Sequence, residues 1–415
     1  MISNRKLLLA LIFAIPLLAI ISQCDIFSSP PPDPRGPIYA GSSTCIKCHK
    51  DIYDDYLHTA HFSSTRLADV HSISGSFAPG HNVFYFSKNL KVVMEKRDSG
   101  LYQVAYLNGK VLNSHRFDIT FGGVKAQSYL YWKGNELYQL PMSYFKSLHS
   151  WTNSPGYDST YADFSRPIGT GCLDCHSSYF QQLPSESQSL TRKMDFDKKA
   201  VILGIDCERC HGPATNHVNY QTDFPEEKKA RYITTYASLT RAQKVNMCAV
   251  CHSGNSGMVL RPTFDFKATD HIEDFRLPEL YQVQDPKKLD VHGNQTQLLQ
   301  SSQCYIQSKM DCATCHNLHS NERDQVALFS QRCMNCHTEA NHNFCKMAPQ
   351  IGAMIKNNCI DCHMPATPSN KIAVGISGSG RAVPYLVRNH HIAIYADASE
   401  KVMNDLKRTN RLPID

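Results

Sequence analysis

Residues 207–211 read Cys-Glu-Arg-Cys-His, and this pattern of two cysteines, two intervening residues and a histidine occurs seven times in the chain. From this composition, chance predicts only about 0.03 copies. The seven copies use most of the 17 cysteines. Along the chain, motifs 1 to 7 are Cys45/Cys48/His49, Cys172/Cys175/His176, Cys207/Cys210/His211, Cys248/Cys251/His252, Cys312/Cys315/His316, Cys333/Cys336/His337 and Cys359/Cys362/His363.

The spacing within each motif suits covalent attachment of haem. On a helical turn, residues i, i+3 and i+4 lie on one face. Two thiols placed in this way can bond to the two vinyl groups of one porphyrin, while the adjacent histidine binds the iron as its proximal ligand. The sequence therefore predicts seven covalently bound haem c groups with iron, held by the fourteen motif cysteines and the seven motif histidines.

Zinc binding and dithiol redox chemistry are the alternative interpretations of a single Cys-x-x-Cys pair. A structural zinc site uses two such pairs, so an odd number leaves one pair unused. Neither alternative explains why a histidine follows every second cysteine. Haem attachment accounts for both observations.

The charge of the polypeptide does not indicate nucleic-acid binding. Its 415 residues carry a formal net charge of +6, but each expected haem adds two propionates, so the finished protein should be near neutral or acidic. No nucleic-acid partner is expected. The length allows two or three compact units.

The N-terminus has the pattern of an export signal. Arg5 and Lys6 precede an apolar run over residues 7–21, which is shorter than the roughly 20 residues of a membrane span. The run is followed by Ser-Gln-Cys, and residues 21–24 resemble a lipoprotein cleavage box that departs from the usual pattern at Gln23. Cys24 is therefore the predicted lipidation site and membrane anchor. An ordinary cleaved secretory peptide and an uncleaved anchor remain alternatives, and all three place the rest of the chain outside the cytoplasm, on the periplasmic side.

The spacing of the motifs predicts how the chain is organised. The predicted fold is mainly α with long loops, a multihaem cytochrome c architecture built around stacked haems, plus a small antiparallel β insertion. The predicted segments are a signal peptide (1–23), a lipid-anchored Pro-rich tether (24–40), an N-terminal haem segment (41–76), the β insertion (77–155), a six-haem helical region (156–395) and a C-terminal tail (396–415).

Local signals place turns and helices within these segments. Within the β insertion, hairpin turns are predicted at Asp98-Ser99-Gly100, Asn108-Gly109 and Gly134-Asn135. Helices that lead into motifs are predicted from Arg241 with Thr240 as the cap, over 324–336, and over 348–358.

Histidines outside the motifs are candidates for the second axial position on each iron. Iron with two histidines is saturated and carries electrons, methionine raises its potential, and an open position binds substrate. Thirteen of the 20 histidines remain after the motifs are counted, so ligation by two histidines is expected for most haems. The candidates that lie closest to motifs or in short haem-adjacent contexts are His58, His61, His217, His292, His319 and His390.

Four stretches of the sequence resemble a known family: residues 41–45 with Ile52-Tyr53 and His61, residues 204–213 with His217, residues 312–319, and residues 359–365. They are similar to the cytochrome c-552/c-554-type multihaem proteins, relatives of pentahaem nitrite reductase and hydroxylamine oxidoreductase. The resemblance implies mainly helical connections and haems in stacked and perpendicular pairs. It also implies distal roles for His61, His217, His319 and His390.

Two functions of different class follow from this resemblance. One is an electron relay through haems with two histidine ligands, with redox partner proteins or a quinol-linked donor. The other is an oxidoreductase that acts on a small nitrogen or sulfur compound at one five-coordinate haem. No Cys-x-x-Cys-Lys motif marks an active haem, which favours the relay.

Overall fold

The computed structural model describes residues 32–158, 160–184, 194–254, 258–277 and 285–408. The predicted signal peptide (1–23), the lipidation site Cys24 and the first part of the predicted tether lie outside these ranges. Within them, no helix combines the length and the apolar character needed to cross a bilayer.

The described residues form short helices and antiparallel sheets. The strands are β1 (Thr65–Leu67), β2 (Val83–Tyr85), β3 (Leu90–Arg97), β4 (Gly100–Leu107), β5 (Lys110–Arg116), β6 (Ile119–Gly122), β7 (Ala126–Lys133), β8 (Glu136–Gln139), β9 (Met142–Phe145), β10 (Ser150–Asn153), β11 (Ser177–Gln182), β12 (Phe196–Leu203), β13 (Ala366–Gly375) and β14 (Ala382–Arg388). The α-helices are α1 (Lys50–Tyr56), α2 (Thr170–His176), α3 (Cys207–His211), α4 (Thr215–Asp223), α5 (Arg241–His252), α6 (Gln295–Gln300), α7 (Gln303–Ile306), α8 (Val326–Met334), α9 (Ala348–Ile351), α10 (Ile360–His363) and α11 (Ala396–Arg408).

Two of the sheets carry the largest cluster of buried apolar side chains among the described residues. One has the order β1-β6-β7-β9-β10 with β8 paired to β7, and the other has the order β2-β3-β4-β5. Trp151, Tyr129 and Met94 are fully buried in the cluster of these strands. The predicted hairpin turns are confirmed, because Arg97 pairs with Gly100, Leu107 with Lys110, and Lys133 with Glu136.

The prediction of a mainly α fold is wrong. Of the residues that the structure describes, 30% are helical and 25% are in strands, and the strands form four antiparallel sheets. Two of these sheets, the hairpins β11-β12 and β13-β14, lie in the region predicted to be helical. A haem motif needs only about one turn of helix to bring its three residues onto one face, and α3 and α10 are 5 and 4 residues long. The motifs therefore do not require long helices.

Helix α5 begins where the sequence predicts. The Thr240 hydroxyl accepts a hydrogen bond from the Gln243 backbone N–H, and the Gln243 side chain accepts one from the Thr240 backbone N–H. This reciprocal cap satisfies two N–H groups that a helix end otherwise leaves free. The helix ends at His252, so it delivers motif 4 directly.

The substitution Thr240→Ala should lower the free energy of unfolding by about 1 kcal/mol, because it removes this cap. Equilibrium denaturation in urea measures the change. Thr222→Ala is the control, since that exposed hydroxyl bonds only to a carbonyl within its own helix. Equal stability of the Thr240→Ala variant and the unmodified protein would contradict the role of the cap.

The C-terminal part of the chain buries few apolar side chains of its own. From residue 301 to residue 408, the buried hydrophobic side chains among those described are Ile351, Ile355 and Val374. The same stretch holds motifs 5, 6 and 7. So small an apolar core is what a polypeptide built around large bound groups should have.

Candidate haem-binding site

The motifs meet at one cavity of about 2650 Å³. A pocket for a drug-sized ligand measures about 300–1,000 Å³, so this cavity has room for several large groups. All three motif residues of motifs 1, 3, 4, 5, 6 and 7 line it, and Cys175 of motif 2 reaches its wall. His61, His217, His292, His319 and His390 line it as well.

Five of the cavity-lining histidines are each held by a hydrogen bond through one ring nitrogen. Nδ1 of His211 lies 2.9 Å from the carbonyl oxygen of Thr234, and Nδ1 of His217 lies 2.8 Å from that of Arg231. A carbonyl only accepts, so Nδ1 donates and Nε2 keeps its lone pair. The same contact is made by His337, His363 and His390. Fixing Nδ1 in this way orients Nε2 for a metal.

Four motif histidines each face a second histidine across the cavity. The ring centres are 6.4 Å apart for His49 and His217, 6.1 Å for His252 and His61, 5.9 Å for His211 and His319, and 6.3 Å for His316 and His390. A bond from a metal to an imidazole nitrogen is about 2 Å long, so two rings on opposite sides of one metal have centres about 6 Å apart. The four pairs fit this separation.

Burial keeps several of these histidines neutral. It lowers the pKa of His61 and of His390 to about 4, and neighbouring histidines add to the effect. At neutral pH both rings are therefore uncharged, which is the form that binds a metal. The rings need not lose a proton first.

Motifs 2, 6 and 7 have a different environment. All 20 histidines lie among the described residues, and within this set no second imidazole faces the histidines of these three motifs at a comparable separation. His176 of motif 2 packs instead against Phe121, with ring centres 4.0 Å apart. Its Nδ1 is buried and has no hydrogen-bond partner. Burial also lowers the pKa of His176 to about 4.

Two of the sequence candidates are not part of any histidine pair. His58 is exposed just after α1 and does not line the cavity. His292 lines the cavity, and its ring centre lies 6.0 Å from that of Tyr385. His292 lies within electrostatic range of His176 and His252, and burial lowers its pKa.

Thiols of different motifs meet at four points. Cys45 of motif 1 lies beside Cys207 of motif 3, and Cys175 of motif 2 lies beside Cys251 of motif 4. The other two contacts join motif 4 to motif 5 through Cys248 and Cys312, and motif 6 to motif 7 through Cys333 and Cys359.

Weaker electrostatic contacts join these groups of motifs. Cys210 of motif 3 interacts with Cys251 of motif 4, and Cys315 of motif 5 interacts with Cys333 of motif 6. The order of neighbours is therefore 1-3-4-5-6-7, with motif 2 attached to motif 4. Each motif thus has at least one other motif beside it.

A buried ionic cluster, formed by Asp33, Arg35, Asp206 and Glu208, holds motif 1 against motif 3. The Arg35 guanidinium donates to Asp33 at 2.9 Å, to Asp206 at 2.7 Å and to Glu208 at 3.2 Å. The side chains of Arg35 and Glu208 are 5% and 1% exposed. Residues 33–40 are predicted as part of an extended tether, but Arg35 attaches them to motif 3.

Glu208 extends the Arg35 cluster to the backbone before motif 1. Its carboxylate accepts hydrogen bonds from the backbone N–H groups of Ala40 and Gly41, at 2.9 and 3.0 Å. It also accepts one from Ala214 at 2.9 Å. Asp206 caps α3 by accepting from the Arg209 backbone N–H at 2.8 Å. The first cysteines of motifs 1 and 3 therefore lie side by side.

A close backbone contact fixes the approach to motif 3 from the other side. Gly204 has φ +68°, and a Cβ atom there would lie 2.2 Å from the carbonyl oxygen of Phe62. Any other residue would be strained at this φ and would displace the segment that carries His61.

The cysteines outside the motifs, Cys304 and Cys345, are both unpaired. An oxidising compartment would allow a disulfide between them, but the structure forms none. Cys304 lies within electrostatic range of Cys336 in motif 6, and Cys345 within range of Cys362 in motif 7. Both belong to the walls of the cavity.

The motifs and the cavity together define a haem protein of the c type. A comparison with protein families agrees with this class, because the sequence model of the family described as cytochrome c554 and c-prime matches residues 141–212. The matched stretch runs from the end of the large sheets through motifs 2 and 3. The match supports a multihaem c-type cytochrome family, with covalently bound haem c and iron and a role in electron transfer. No curated protein and no solved structure matches the chain.

Sequence patterns do not reveal every residue of the site. Arg35 and Phe121 belong to no motif, and each contacts a residue far away in the sequence. Glu208 lies between the two cysteines of motif 3, so the sequence places it close to the site. Its role becomes evident only from its partners in the structure.

Proposed function

We propose that the protein is an exported heptahaem c-type cytochrome that relays electrons between redox partners. The observation that carries this proposal is the continuous series of contacts between motifs, from motif 1 to motif 7. Each bound haem supplies an iron that gains and loses one electron. The chain's own residues hold these irons next to one another.

The second axial ligands in this proposal are the histidines that face motif histidines. His217 serves motif 1, His319 serves motif 3, His61 serves motif 4 and His390 serves motif 5. The measured ring separations support these assignments. Saturated iron exchanges electrons with little rearrangement, which suits a carrier.

The proposed setting is the periplasmic side of a membrane. Covalent haem attachment takes place outside the cytoplasm, and the N-terminal sequence predicts export and lipidation of Cys24. The proposed donor is a redox protein or a quinol-linked enzyme, and the acceptor is another redox protein.

The mature protein should carry seven haems per chain. Intact mass measurement and haem quantification of the purified protein test this number. The double substitution Cys312→Ser/Cys315→Ser should remove one haem, because motif 5 then has no thiols to attach it. Cys304→Ser/Cys345→Ser is the matched control, and it should keep all seven. A colourless protein, or a mass explained by amino acids and lipid alone, would contradict the proposal.

One observation favours a second function. Among the described residues, no second imidazole ring lies about 6 Å from the ring of His176 in motif 2, and His292, which is within electrostatic range of His176, lies against Tyr385. Arg323 adds positive charge beside Tyr385. These groups suit a five-coordinate haem that binds a small nitrogen or sulfur compound.

Low-temperature electron paramagnetic resonance of the oxidised protein separates the two functions. A pure relay gives low-spin signals alone. A high-spin signal that changes when a small ligand such as cyanide is added supports the oxidoreductase.

A further inference from the structure

Two arginines, the buried Arg276 and the partly buried Arg209, lie where motifs 2, 3 and 4 meet. Arg276 is 4% exposed. Its guanidinium donates to the carbonyl oxygen of Gly254 at 2.9 Å and lies 4.0 Å from the sulfur of Cys175. Arg209 lies between the cysteines of motif 3 and donates to the carbonyl oxygen of Asp174 at 3.3 Å. Nε of each arginine is buried without a hydrogen-bond partner.

One buried carboxyl group, that of Asp174, lies within electrostatic range of both arginines. Asp174 is 2% exposed and has one carboxyl oxygen without a hydrogen-bond partner. Arginine does not lose its proton in proteins. Two guanidiniums and one carboxyl group therefore carry a net charge of at least +1, whichever form the carboxyl takes.

The cations lie beside the attachment points of two haems. Arg276 lies 4.0 Å from the sulfur of Cys175 in motif 2. The sulfur of Cys251 in motif 4 lies 3.8 Å from the carbonyl oxygen of Asp174, which also accepts a hydrogen bond from Arg209. The haem edges bonded to these two sulfurs would therefore lie close to the two cations.

We propose that Arg209 and Arg276 make the haems of motifs 2 and 4 the highest-potential sites of the chain. This inference rests on the proposed function. Reduction takes ferric iron to ferrous iron, adds one electron from a reduced neighbouring haem, and makes or breaks no bond. A buried cation favours the form with the extra negative charge, and its effect is strong where water is excluded.

The location gives this property a functional meaning. Motif 4 has motif 3 on one side and motif 5 on the other, and motif 2 is attached beside it. Electrons that enter from either end of the series come to rest at motifs 2 and 4. The arginines therefore determine where the electrons rest, through their electrostatic effect on the haems.

Spectroelectrochemical titration of three variants of the full-length protein tests the proposal. In Arg276→Met, which keeps the length of the side chain but removes the charge, the highest-potential step should move to lower potential. In Arg276→Lys, which keeps the charge, it should stay near its original position. The control is Arg261→Met, which removes an exposed arginine stacked on the neighbouring Phe275 at 4.7 Å and should leave every step in place.

Ionic strength provides a second measurement on the same proteins. The shift in Arg276→Met should persist in high salt, because a buried charge is poorly screened. Haem content is measured first for each variant, so that loss of a haem is not mistaken for a shift. If Arg276→Met loses haem, Arg209→Met serves as the test and should move the same step in the same direction.

Two outcomes would overturn the proposal. One is an unchanged highest-potential step in a charge-removing variant that retains its haems. The other is an equal shift in Arg261→Met. A protein with fewer than seven haems would count against the proposed function, but it would leave the comparison of the arginine variants interpretable.

Discussion

Replacing Arg35 by alanine should lower the free energy of unfolding by about 3–5 kcal/mol, because the change leaves buried carboxylates without their cation. Glu208 is nearly inaccessible to water, and burial already raises its pKa. Burial opposes the charge of Arg35 as well, but Asp33 and Asp206 outweigh this and raise its pKa. Removing the guanidinium takes away the group that makes these charges tolerable. Equilibrium denaturation measures the loss.

The matched control for this variant is Arg97→Ala. Arg97 pairs with Glu95 at 2.8 Å, but both side chains are partly exposed. An exposed pair is worth about 0–1 kcal/mol, so this variant should be close to the unmodified protein. If Arg35→Ala is no less stable than Arg97→Ala, the Arg35 cluster does not hold motif 1 against motif 3 in the way described.

Replacing His390 by alanine should convert one haem from low spin to high spin. The ring centre of His390 lies 6.3 Å from that of His316, and its removal leaves the iron of motif 5 with one protein ligand. Spin state follows the number and strength of axial ligands. Electron paramagnetic resonance of the oxidised variant should therefore show one low-spin haem fewer and a new high-spin signal.

His81→Ala is the control for the His390 variant. His81 is exposed and lies in the loop before β2, away from the cavity lining. Its spectrum should match that of the unmodified protein. Identical spectra for His390→Ala and the unmodified protein would remove His390 from the proposed ligands. Added imidazole should restore the low-spin signal in His390→Ala, because it can enter the space left by the side chain.

The features that the sequence predicts well are local. The motifs, the hairpin turns and the cap of α5 each depend on residues within about five positions of one another, and each is decided by short-range geometry. Thr240 and Gln243 are an example, because both halves of the cap are visible in four consecutive residues. Such features need no knowledge of the rest of the fold.

The prediction of a mainly α fold fails for a physical reason. It assumes that motif-bearing segments are long helices, whereas the groups that they hold supply the interior that long helices would otherwise provide. The chain between motifs is then free to form hairpins such as β13-β14. Before motif 7, the sequence predicts one helix over 348–358. The structure has instead a single α turn over Ala348–Ile351, followed by a 3₁₀ segment over Gly352–Asn357.

Interactions between distant residues also escape prediction from the sequence. Arg35 and Asp206 are 171 positions apart, and nothing in either local sequence names the other. The charge of Arg276 beside Cys175 is hidden in the same way. His252 belongs to motif 4 and His61 follows motif 1 in the sequence, and only their ring separation identifies them as a pair.

The Arg35 cluster has a consequence for the order in which the chain matures. Synthesis proceeds from the N-terminus. After Arg35 has been made, another 171 residues must be added before Asp206 is available to contact it. Closing so large a ring is slow and entropically costly. Motifs 1 and 2 lie inside this ring, so their cysteines remain on an open polypeptide until the Arg35 cluster forms.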